Sequence, residues 1–156
     1  QDAIQSLEQQ FAGNRTTLDV AYKLMSNYVL TTRTNDAVAI MDELLADPNA
    51  PAETILTVAS AYNDLNELER LENALMRLVQ VLPENPEAWF DLAATQAIMG
   101  KHQLALQTLE RTMELSRVRR EKNPEAMDLT RKARADVRLN ALKAMPDFQR
   151  ILNPQN

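Results

Sequence analysis

An all-α array of antiparallel helical hairpins is the architecture that this 156-residue sequence predicts. Three observations lead there: the scarcity of glycine, apolar residues at helical spacing, and the return of that pattern every 34 residues. Only Gly13 and Gly100 are glycine, which leaves little material for β-hairpin turns or phosphate-cradling loops. Leu and Ala, both strong helix formers, are abundant. Hydrophobic residues at 45% and charged ones at 25% match an ordinary folded domain, so a packed core is within reach.

The repeat is read from the segment that starts at Pro86 and ends at Gly100. Stepping back by 34, Trp89 falls on Ile55 and Ala21, Leu92 on Val58 and Leu24, and Ala93 on Ala59 and Met25. Gln96 falls on Tyr62 and Tyr28, Ala105 on Leu71 and Ala37, and Leu109 on Leu75 and Met41. Apolar or small residues recur throughout, with Gln96 alone out of line. Such a unit is a hairpin that cannot cover its own apolar stripe, so neighbours must stack.

Each element follows from local signals. Ile4, Leu7, Phe11 and Ala12 lie at helical spacing, and Gly13-Asn14 ends that flanking helix within residues 1–17. In the best unit, Trp89, Leu92, Ala93, Gln96 and Ala97 share one helix face, and Leu104, Ala105, Thr108, Leu109, Thr112 and Met113 share a second. Gly100 supplies the turn between them, with Asn66 and Thr32 at the equivalent positions. Pro48, Pro51, Pro83 and Pro86 lie between hairpins, where proline stops one helix or opens the next. Asn123-Pro124 reads as the start of a long basic helix over 125–144 with a break near Asp136. After Pro146, Phe148, Ile151 and Leu152 are placed to fold back as part of a C-terminal cap over 120–156.

Together the 34-residue period, Trp89 with Leu92-Ala93, Tyr62, Gly100, Ala105, Leu109 and the closing Pro83 resemble the tetratricopeptide repeat. The likeness covers residues 18–119 as units 18–51, 52–85 and 86–119. It implies a right-handed superhelical α-solenoid with the first helix of each hairpin on the concave side. The first unit departs from the pattern in lacking a large aromatic opener. The third lacks a closing proline, so its second helix is expected to run past Arg119 toward Asn123.

Catalytic chemistry is poorly provided for. There is no cysteine, hence no disulfide, thiolate metal site or thiol nucleophile. His102 is the one histidine and cannot build a usual metal site by itself. Acidic pairs such as Asp42-Glu43 and Glu84 with Glu87 are ordinary on helix surfaces, and no Gly-rich phosphate loop or nucleophile elbow occurs. No enzyme activity and no cofactor are therefore expected. No apolar run is long enough to span a bilayer. The sequence opens at Gln1 without a signal segment and reads as a mature product or a piece of a longer chain. Cytoplasm and periplasm both suit it.

Function is expected in the groove that the resemblance implies. Carried over by register, that surface presents Asp19, Tyr22, Ser26, Glu53, Leu56, Ser60, Asn63, Glu87, Phe90 and Ala94. The Lys–Asn clamp by which family members hold a peptide carboxylate is missing. Tyr22 and Ser26 replace one pair, Thr57 replaces an Asn, and Glu87 and Asp91 stand where cations belong. An acidic groove with Tyr22, Leu56 and Phe90 as anchors suits a basic or amphipathic segment of a protein partner.

Charge is uneven: residues 1–100 hold five Lys/Arg and fifteen Asp/Glu, and 101–156 hold twelve and seven. Hence a second expectation, a self-associating assembly or spacer domain of a larger, membrane-anchored bacterial protein. A third is binding of anionic polymers through Arg117, Arg119, Arg120, Arg131, Lys132, Arg134 and Arg138. Interleaved acids, and the lack of aromatics between Phe90 and Phe148, disfavour nucleic acid.

Overall fold

The computed structural model describes residues 2–15 and 17–154; Gln1 and Thr16 of the N-terminal flank, and residues 155–156, lie outside them. The chain divides into two compact units, residues 1–74 and 75–156. The first holds α1 (Asp2–Gly13), α2 (Leu18–Leu30), α3 (Thr34–Leu45) and α4 (Ala52–Asp64). The boundary falls within α5 (Leu68–Val81), and the second unit continues with α6 (Pro86–Ile98) and α7 (His102–Lys122). It ends in α8 (Leu129–Ala135), a 3₁₀ turn (Val137–Leu139), α9 (Asn140–Lys143) and α10 (Pro146–Leu152). Among the described residues there is no strand.

The helices close in hairpins at the three turn positions. Thr32, Asn66 and Gly100 all have positive φ, at 59°, 56° and 78°. At each turn the next N–H reaches back five residues, from Arg33 to the Tyr28 carbonyl (2.7 Å), Glu67 to Tyr62 (2.9 Å) and Lys101 to Gln96 (3.0 Å). A second bond from the left-handed residue itself completes the Schellman pattern that satisfies the last carbonyls of a helix. The 34-residue repeat is thus a repeat of backbone geometry.

Every residue of the apolar register is buried except Trp89. Trp89 is partly buried, and its indole N–H donates to the Pro83 carbonyl (2.9 Å) in the inter-hairpin loop. Gln96, the polar exception in the register, is buried and accepts the Thr108 hydroxyl at 2.6 Å, so its amide oxygen is satisfied. In the first unit α1 packs on α2, and Phe11 is buried.

In the second unit, α6 opens with Pro86 at its first position and Asn85 as its cap. The Asn85 Oδ1 accepts from the N–H groups of Glu87 and Ala88. The α7 helix runs to Lys122. The segment beyond it has the expected break near Asp136 but starts its helix later than residue 125. Asn123 forms only a local turn, accepting the Glu125 N–H, and the helix starts at Leu129 with Asp128 as its cap. It stops at Asp136, which is extended and accepts the Arg138 N–H to start the 3₁₀ turn. Burial explains the break: in one straight helix Leu142 would lie about 140° around the axis from Leu129. Broken, the segment puts Leu129, Ala133, Leu139 and Leu142 into one core with Phe90, Ala94, Leu106 and Leu109. Phe148, Ile151 and Leu152 of α10 join it.

The turns make a stability test. Thr32 is a β-branched residue in a left-handed conformation, and no Cβ clash restrains Gly100 beyond its φ. Thr32→Gly is expected to raise stability by about 1 kcal/mol and Gly100→Ala to lower it by about 1 kcal/mol. Urea denaturation midpoints read both.

Candidate partner-binding surface

Positions 34 apart on the first helix of each hairpin have different fates. On α2, Asp19 is exposed, Tyr22 is 40% exposed and Ser26 is half-buried. On α4, Glu53, Ser60 and Asn63 are exposed and Leu56 is 50% exposed. The spacings of three and four residues align each set along one side of its helix. Asp19 pairs with Lys23 at 2.7 Å, an exposed contact of small energetic weight.

The third set, on α6, is closed. Phe90 and Ala94 have no exposed surface, so neither is the open groove contact that the sequence suggested. The covering segment belongs to the chain itself. The Lys132 ammonium lies 4.6 Å from the Phe90 ring centroid and the Arg138 guanidinium 5.9 Å from it. Arg138 also pairs with Asp91 (3.5 Å) and Asp136 (2.7 Å), and Leu139 and Leu142 are fully buried in the same core. Glu87 is gripped by both terminal nitrogens of Arg119, at 2.6 and 2.8 Å. That guanidinium holds the Glu87 carboxyl below the usual carboxylate range.

No family model and no curated protein matches the sequence. Solved structures do match. MamA in a crystal structure aligns with a TM-score of 0.55 at 20% identity, over 96% of this chain and 85% of that one. YrrB, a TPR protein with an unusual peptide-binding site, aligns with a TM-score of 0.59 at 15% identity, over 96% and 73%. A MamA AMB-1 structure gives 0.57 at 18% identity, over 96% and 79%. The fold is that of the tetratricopeptide repeat.

Within this tetratricopeptide-like frame, the basic residues expected to form a surface are mostly engaged internally. Arg119 binds Glu87, Arg120 pairs with Asp128 (3.0 Å), and Arg134 donates to Asn153 (2.9 Å). Lys132 and Arg138 cover Phe90, while Arg117 and Arg131 are exposed. Five of the seven thus have partners within the chain, Arg119 inside the α6–α7 hairpin and Arg120, Lys132, Arg134 and Arg138 at the cap. His102 is exposed at the start of α7, and among the described residues no three His, Cys, Asp or Glu side chains gather as a metal site. Among those residues, too, no helix is long and apolar enough to cross a membrane.

Two polar clusters were not anticipated from sequence. The Tyr28 hydroxyl donates to Glu8 (2.6 Å), and Arg33 stacks 4.4 Å from the Tyr28 ring centroid and binds Asp36 (2.6 Å). In the next hairpin the Tyr62 hydroxyl donates to Asp42 (2.5 Å), which also binds Arg70 (3.0 Å). Glu8 and Asp42 are themselves 34 residues apart, and this was the available signal. Burial, then the neighbouring carboxylate, pushes the Tyr28 phenol up to about 12 and raises that of Tyr62 as well.

Because both phenols are raised, their stabilisation is complete below the ordinary tyrosine pKa of about 10 and is lost as pH climbs through the folded values. Alkaline unfolding should therefore steepen above about pH 10, and less so in Tyr28→Phe. Tyrosinate absorbance and circular dichroism measured together check this. Leu142→Ala should cost about 2–5 kcal/mol by opening a cavity beside Phe90, read as a lowered denaturation midpoint.

Proposed function

We propose that this chain is a protein-interaction scaffold working through the exposed first-helix rows of residues 18–64. Asp19, Tyr22 and Ser26 on α2 and Glu53, Leu56, Ser60 and Asn63 on α4 are its contact residues. One observation carries the reading: of three equivalent positions, Phe90 is sealed by the chain, whereas Tyr22 and Leu56 remain 40% and 50% exposed. Large side chains held open on rigid helices are suited to be anchors in a partner interface. The acids Asp19 and Glu53 one turn before them favour cationic partners. The fold likeness to YrrB, which has a peptide-binding site, supports the same class of role.

The test compares wild type with a Tyr22→Arg/Leu56→Arg double variant in affinity capture from source-cell lysate. Both substitutions are at exposed positions, so helicity should be kept; Phe90→Arg would disrupt the core. A partner retained by wild type and lost by the double variant is the expected outcome. A partner held equally by both moves the site elsewhere on the chain.

A further inference from the structure

The segment laid over Phe90 is a worked example of what this kind of helix face accepts. It presents a lysine and an arginine over an aromatic ring and two leucines beside it, with Asp91 pairing to Arg138. Its counterparts on α2 and α4 keep a large side chain and the acid one turn before it without a cover, although Thr57 and Lys23 stand at the Asp91 position. Tyr22 offers a ring face to a cation as Phe90 does, Leu56 offers apolar area, and Asp19 and Glu53 repeat the acid of Glu87. Arg119, which occupies Glu87, has Asn85 and Pro51 at its register positions in the other hairpins, and these carry no charge. Lys23 stands where Asp91 does, so a cation arriving on α2 would meet Asp19 by exchanging with an exposed pair of low energy.

Charge points the same way. Residues 1–74 hold four Lys/Arg against twelve Asp/Glu, whereas residues 128–142 hold four against two. Resting on the function proposed above, we infer that the Tyr22 and Leu56 positions take a segment of a partner protein in which Lys or Arg flank leucines, the chemistry of residues 128–142. The chain's own copy of that segment is committed elsewhere, since Leu129, Leu139 and Leu142 are all fully buried. The occupant therefore comes from another protein.

The probe is a blocked, fluorescent peptide of residues 128–142, titrated into the full chain at low ionic strength and followed by anisotropy. Saturable binding is expected, about tenfold weaker to Leu56→Arg or Tyr22→Arg, and weaker in salt. Replacing Leu139 and Leu142 of the peptide by serine should abolish it. Tyr22→Ala and Leu56→Ala serve if an arginine variant loses helicity. Absence of saturation, equal binding by the variants, or equal binding of a shuffled peptide would overturn the inference. So would a concentration-dependent dimer abolished by Leu56→Arg, which would make the occupant a second copy. A captured partner that depends on Tyr22 and Leu56, alongside a peptide that fails to bind, sinks this inference and leaves the scaffold reading standing.

Discussion

Each hairpin is set by one left-handed residue. Thr32, Asn66 and Gly100 reverse the chain with the same pair of backbone bonds, and the 34-residue spacing between them fixes which side chains point inward. Because a helix presents the same face only at steps of three and four, a slip at a turn would rotate the whole following row away from its core. The backbone tolerates threonine at the first turn, where glycine would sit with less strain, and this implies that the packing on both sides holds the geometry.

The second unit closes its own apolar stripe with irregular structure. A solenoid helix row that ends without a neighbour exposes the residues that would otherwise be covered by the next hairpin. Here the cover is assembled from four short pieces, and the breaks at Asp128 and Asp136 are what allow it. Each aspartate accepts a backbone N–H two residues on, and the arginine at 138 neutralises the second while reaching Asp91. A regular helix could have presented either the leucines or the cations to Phe90, but not both.

Much of this was legible in the sequence, and the reason lies in which signals are local. The helices, their turns and the buried register follow from spacing and from residues that favour left-handed backbone. The closing of Phe90 was not legible, since it depends on Lys132 and Arg138, more than 40 residues away. The basic segment looked like an anion-binding face for the same reason: several of its partners, among them Glu87, Asp91 and the Phe90 ring, lie on another helix. Trp89, on the otherwise buried register, stays partly exposed with its indole N–H on the Pro83 carbonyl, a contact with the preceding loop that residue spacing does not display. Tyr22 and Leu56 could be named from register, but that they differ from Phe90 in exposure could not.

The aromatic residues are also partitioned in a way that makes the molecule self-reporting. All three tyrosines fall in residues 1–74, and the single tryptophan, Trp89, falls in residues 75–156. Indole emission thus senses one half of the chain and phenol absorbance the other. The two halves carry separate optical labels supplied by nature, so whether they melt together or in sequence is a matter of choosing the wavelength.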